Sequence, residues 1–164
     1  MFIIKTRTTY WIHAAMIAAI YVVLTMLFRP ISYGMMQVRV SEALTILPFL
    51  TPAAIPGLAI GCLIANILGP YGLLDIVVGT AATTLAAVVT SKIKNRKWAP
   101  MPPVLINAVL IGAMLYYLFL GSPDQAPLWS LMLWVGAGQL VACYGLGYPL
   151  LLMLEKYKSQ IFKV

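Results

Sequence analysis

The chain has 164 residues, 62% of them hydrophobic and 9% charged, with a formal net charge of +7 at pH 7. Soluble domains carry roughly 45–50% apolar and 25% charged residues, so an ordinary globular core is excluded and an integral membrane protein is left. The basic excess does not point to nucleic acid, because the lysines and arginines sit in short clusters at the ends of apolar runs rather than along one face.

The first apolar run, residues 10–28, follows Lys5 and Arg7. It lacks a small-residue cleavage site and more runs follow, so it reads as a retained span rather than a signal peptide. Within it "AAMIAAI" spaces Ala14 and Ala18, and Ala15 and Ala19, four apart. Small residues at that spacing let a second helix approach closely, whether from the same bundle or from a partner. His13, with no carboxylate or second histidine near it in sequence, reads as a packing or interfacial residue. A loop over residues 29–40 leads to "QVRVSEALTIL", where an amide, a guanidinium, a hydroxyl and a carboxylate precede an apolar segment. That segment, residues 41–50, is too short to cross a bilayer core of about 30 Å as an α-helix, so neighbouring helices must cover its backbone.

Residues 53–68 form the third span, and the tight turn "LGPYG" returns the chain into a fourth, residues 73–91. Lys92, Lys94, Arg96 and Lys97 form a basic loop. A fifth span over 104–120, the connection "GSPDQAP" and a sixth span over 128–154 complete the chain, followed by Lys156, Lys158 and Lys163. Lysine and arginine accumulate in cytoplasmic loops. The three basic clusters fall on one side only if residues 41–50 count as a span. The expected architecture is therefore all-α: six transmembrane helices in one integral membrane domain over residues 1–164, with cytoplasmic N- and C-termini, in the plasma membrane. Arg29 and Arg39, and the acids Glu42, Asp75 and Asp124, are then left on the outer side.

Those outer polar groups are the candidate site. Ser41 can cap the second span, Glu42 complements its dipole, and Arg39, three residues away, can pair with Glu42. That describes a salt-bridged helix start. The same groups also describe a pocket wall, since charged groups at membrane depth usually face a bundle interior or a watery cavity. At helical spacing Glu42, Thr45 and Phe49 share a face. Asn66 and Asp75 flank the "GPYG" turn, and a buried amide needs partners. Asn107 lies deep in the fifth span, with Tyr117 toward its outer end on the Asn107 face. Trp134 and Gln139 lie in the sixth span, while Trp129 and Tyr116 suit an interfacial belt. Flat rings with carboxylates and amides suit a planar, hydrogen-bonding heterocycle.

Cys62 and Cys143 lie inside spans and form no metal-binding pair, and no cofactor or metal is implied. The sequence holds no G-x-x-x-x-G-K-[ST], H-E-x-x-H or G-x-S-x-G motif and no series of mid-span acids. Catalysis is not expected, and any uphill transport would draw its energy from a partner.

Size, span count, the paired alanines of span one and the outer loop before span two together resemble the substrate-binding (S) components of energy-coupling factor transporters. "QVRVSEALTILPFLTPAAIPGLAIGCLIAN", "GLLDIVVGTAATTLAA", "APMPPVLINAVLIG" and "CYGLGYPLL" are similar to the QueT family, with "RVSEALTILP" the most specific part. The resemblance implies a six-helix S component for queuosine precursors, meaning 7-deazaguanine bases or related nucleosides. It also implies a transmembrane coupling protein and two cytoplasmic ATPases as partners. It assigns the loop over residues 29–40 to cover the solute and Ala14, Ala15, Ala18 and Ala19 to dock the coupling protein. Under it, Arg39 and Glu42 lock the loop to span two while Glu42, Gln37 or both reach the ligand. The ligand set is then Gln37, Arg39, Glu42, Asn66, Asp75, Tyr117, Trp134 and Gln139. One departure is "GAGQLVACY", which has Gln139 where the family pattern has glutamate. The alternative is an S component for another flat nutrient: a pterin, a flavin or thiamine.

Overall fold

The computed structural model describes residues 2–33, 37–122 and 126–157. Part of the loop before the central segment, Asp124, Lys158 and Lys163 lie outside them. The described residues are helical, with no strand among them. α1 (Phe2–Leu27) is followed by a single turn, Arg29–Ser32, and a 3-10 helix, Val40–Phe49. α2 (Ala54–Ile67), α3 (Gly72–Lys92), α4 (Met101–Leu118) and α5 (Leu128–Lys156) complete the chain. α1, α3, α4 and α5 include the four stretches long and apolar enough to cross a membrane; α2 and the 3-10 helix are shorter and also apolar.

The central 3-10 helix is the element the others surround. Ser41 through Pro48 are all buried, and the helix packs against α1, α2, α3 and α5. A 3-10 helix rises about 2.0 Å per residue against 1.5 Å for an α-helix, so ten residues reach about 20 Å rather than 15 Å. Runs this long are uncommon because their hydrogen bonds are poorer. Here side chains compete for the backbone. The Glu42 carbonyl accepts from Thr45 Oγ1 at 2.6 Å and from Cys143 Sγ at 3.6 Å, and Pro48 has no N–H to donate. Three residues per turn also change the phase. Glu42 and Thr45 stay aligned, but Pro48 takes the next place on their face. Phe49 is not on it, contrary to the 3.6-residue reading, and is only partly buried.

Two interior clusters flank this helix. One joins Ile17 and Tyr21 of α1, Ile46 and Leu47 of the central helix, and Leu58 and Cys62 of α2. The other joins Ile111 and Leu115 of α4 to Leu131 and Val135 of α5. The outward faces are apolar too: Met16, Val23 and Leu27 on α1, Leu105 and Val109 on α4, and Leu133 and Val141 on α5 are exposed. Apolar surface outside and polar side chains inside is the arrangement a lipid solvent selects.

The four alanines of α1 divide between these environments. Ala14 and Ala18 are buried, while Ala15 and Ala19 are exposed. A Cβ added at Gly57 would meet the Ala14 carbonyl oxygen at 2.7 Å, and one at Gly61 would meet Tyr21 Cβ at 2.9 Å and the Ala18 carbonyl at 3.0 Å. Ala14 and Ala18 therefore serve close packing of α1 on α2 within the chain and are not available to a partner; only Ala15 and Ala19 face outward. Ala14→Leu or Ala18→Leu should lower stability by about 1–3 kcal/mol through overpacking. Ala15→Leu or Ala19→Leu should stay within about 0.5 kcal/mol of wild type. Reversible unfolding in detergent checks both; equal losses for the two pairs would contradict the packing.

Candidate functional site

A seam of buried polar side chains runs through the bundle in two tiers. The upper tier lies where α2 ends and α3 begins. Arg39 donates from Nη1 to Asn66 Oδ1 at 2.9 Å and from Nη2 to Asp75 Oδ2 at 3.0 Å and Oδ1 at 3.4 Å. Asn66 Nδ2 donates in turn to the Asp75 carbonyl at 2.8 Å. That capture coincides with π-helical backbone over Asp75–Gly79, a wide turn that recurs at functional sites. Gly79 makes room for the group, since a Cβ there would lie 2.6 Å from both Asn66 Nδ2 and Asp75 Oδ1.

Two tyrosines bind the loop end to this tier. The Arg39 guanidinium lies 5.1 Å from the centroid of the Tyr33 ring, within range of a cation–π contact. Tyr33 donates its hydroxyl to the Ala65 carbonyl at 2.6 Å, and Tyr71 donates to the Tyr33 carbonyl. Phe119 meets the Tyr71 ring edge-on at 6.5 Å.

The lower tier centres on Glu42, one 3-10 turn further in. Its Oε1 accepts from the Tyr21 hydroxyl and from Thr83 at 3.4 Å, and its Oε2 accepts from Asn107 Nδ2 at 3.2 Å. Cys62 bridges the tiers: its thiol lies 3.3 Å from Thr83 Oγ1 and accepts from Asn66 Nδ2 at 3.4 Å. Gln139 is buried beside Cys143, whose sulfur lies 3.5 Å from Gln139 Oε1. Cys143 belongs to a second π-helical stretch, Val141–Gly147.

The candidate residues sort accordingly. Arg39, Asn66 and Asp75 form one cluster, and Glu42 anchors the other. The expected Arg39–Glu42 pair is not formed: Arg39 pairs with Asp75, and among the described residues Glu42 has only neutral hydrogen-bond donors. Glu42 also lies deeper than a helix-end position implies, level with Thr83 and Asn107. Gln37 is buried at 2% exposure, takes a left-handed φ of 44°, and its Nε2 has no hydrogen-bond partner among the described residues. A strained backbone carrying an unpaired buried donor is a pointer to function. Tyr117 and Trp134 are not brought to the seam; they are 69% and 50% exposed on the outer surface. Tyr21, Thr83, Tyr33 and Tyr71 were not anticipated as site members, and Asn107 was noted in its span but left out of the ligand set. Tyr21 was findable, since it continues the Ala14–Ala18 face of α1 and carries a polar head deep in that span.

No acid–base pair with a nucleophile or metal-ligand cluster is assembled among the described residues. The arrangement is that of a multi-pass membrane protein with a buried polar seam between apolar outer faces. The sequence profile of the QueT transporter family matches residues 11–156, and the chain belongs to that family, whose members are transporters and not enzymes. It is 40% identical over 81 residues to the queuosine precursor transporter QueT of Lactococcus lactis subsp. cremoris (strain MG1363), an alignment covering 48% of this chain and 47% of that protein. The match thus spans about half the length of that relative. No solved structure matches the chain.

Removing one partner of a buried ion pair leaves an uncompensated charge and typically costs about 3–5 kcal/mol. Arg39→Met should therefore destabilise strongly, and adding Asp75→Leu should recover much of the loss. A double-mutant cycle in detergent measures this. Additive losses would show that the pair is not coupled.

Proposed function

We propose that the chain is the substrate-binding subunit of an energy-coupling factor importer for queuosine precursors, 7-deazaguanine bases or related nucleosides. In this reading six segments cross the membrane. Both termini and the basic loop over residues 92–97 are cytoplasmic, and the end carrying Tyr33 and Tyr71 faces out. The observation that carries the substrate assignment is Glu42: a fully buried carboxylate held by hydroxyls and an amide, with no ion-pair partner among the described residues. A guanine-like edge offers N–H donors, and a buried carboxylate with acceptor capacity to spare is suited to take one of them. Family membership and the name of the Lactococcus relative support the same ligand class.

Gln37 and Asn66 lie close to the entry of the seam, and Gln139 beside its floor. Arg39 and Asp75 act one step removed, by fixing where the central helix that carries Glu42 begins. The sequence has no phosphate-binding loop, so ATP hydrolysis belongs to two cytoplasmic ATPases, joined through a coupling protein. Ala15 and Ala19, exposed and four apart, offer that protein a close approach.

The test is competition binding to the purified chain with a 7-deazaguanine precursor, guanine, adenine, riboflavin and thiamine, repeated on Glu42→Gln. A mismatched edge leaves a buried group unpaired at about 1–3 kcal/mol, so the deazaguanine should outcompete adenine clearly. Losing a charge-assisted hydrogen bond worth about 1.5–3 kcal/mol should weaken its binding to Glu42→Gln about tenfold or more. Tight binding of riboflavin or thiamine with no response to the deazaguanine would overturn the substrate assignment.

A further inference from the structure

Asn107 sits on α4 at 2% exposure, facing Glu42. Which way its amide points is decided chemically. Nδ2 donates to Glu42 Oε2 at 3.2 Å, and the reverse orientation would set a carbonyl oxygen against a carboxylate. Oδ1 is therefore turned away from Glu42, and in that position it is fully buried with no hydrogen-bond partner among the described residues. Buried polar atoms are almost always paired, and each exception calls for an account. Glu42 itself is unevenly loaded. Oε1 takes both hydroxyls, from Tyr21 and Thr83, while Oε2 takes only the Asn107 amide. A carboxylate has about four lone-pair sites, so Oε2 keeps acceptor capacity beside an Asn107 oxygen that has not been used at all.

We propose that Asn107 Oδ1 and Glu42 Oε2 form a two-acceptor reader for a heterocycle that presents a ring N–H next to an exocyclic amine. The ring N–H goes to Glu42, and the amine goes to Asn107. Tyr21 and Thr83 are positioning residues: by occupying Oε1 they leave Oε2 as the ligand-facing oxygen. This rests on the reading of the seam as the substrate site and deepens it by naming the residue that demands the exocyclic amine. Adenine, which has no ring N–H beside its amine on that edge, leaves the reader unmatched. A base with the ring N–H but no amine satisfies Glu42 and leaves Oδ1 unpaired as before.

The experiment compares 7-deazaguanine with 7-deazahypoxanthine, which differs only in lacking the exocyclic amine. Calorimetric titration is carried out on the full chain as wild type, Asn107→Leu and Asn107→Ser, with thermal unfolding of each ligand-free protein. A site built to hydrogen-bond an N–H rejects the analogue that lacks it, so wild type should prefer 7-deazaguanine by at least about tenfold. Both variants should bind the two bases with equal affinity. The ligand-free Asn107→Leu protein loses an unpaired acceptor but also the only described donor to Glu42 Oε2, so it should stay folded while unfolding below the wild-type temperature. A wild-type preference that persists in the variants overturns the role of Asn107 while the substrate reading stands. Loss of folding in both variants overturns it as well, by making Asn107 structural. If wild type binds neither base, the substrate reading fails and the role of Asn107 falls with it.

Discussion

Arg39 reaches from the segment before the central helix to Asn66 on α2 and Asp75 on α3, so one guanidinium ties three parts of the chain together at one level. In water such a pair would contribute little. Among apolar helices its components have no alternative partners, and each must be satisfied within the protein. The position of Arg39 then sets the entry point of the central helix. Glu42 follows one turn later, and its depth among Tyr21, Thr83 and Asn107 is a consequence of that anchoring.

The departures from regular α-helix converge on the same seam. The 3-10 segment carries Glu42, the π-helical turn Asp75–Gly79 carries the partner of Arg39, and the π-helical turn Val141–Gly147 carries Cys143, which donates to the Glu42 carbonyl. In the first two a side chain occupies a backbone carbonyl that a regular helix would use. The unpaired Gln37 Nε2 and Asn107 Oδ1 are consistent with a seam that is completed by a ligand.

Much of this was legible in the sequence. The apolar runs 10–28, 53–68, 73–91, 104–120 and 128–154 each lie largely on a helix, while their crossing of a membrane stays a reading of the sequence. The burial of Gln37, Glu42, Asn66, Asp75 and Gln139 also follows, since an apolar span keeps a polar residue only by turning it inward. What could not be read was phase and partnership. Phe49 was placed on the Glu42 face by a 3.6-residue period that the central helix does not have. Arg39 was paired with its near neighbour Glu42, whereas its partner Asp75 is 36 residues away and is brought close by the "GPYG" turn. Tyr117 and Trp134 were drawn inward, and Ala14 and Ala18 outward, because a bilayer makes both faces of a helix apolar. Hydrophobic periodicity then no longer separates inside from outside. The glycines of α2 held the missing information: Gly57 and Gly61 match the spacing of Ala14 and Ala18 and mark the face where two helices touch.

The central claim is that the seam around Glu42 is shaped for a guanine-like base. The most direct measurement is mass spectrometry of whatever small molecule is released on denaturing the wild-type chain purified from cells that make or take up queuosine precursors. The account predicts a 7-deazaguanine base or its nucleoside, bound in a ratio approaching one per chain. A flavin, a pterin or thiamine in its place would contradict it.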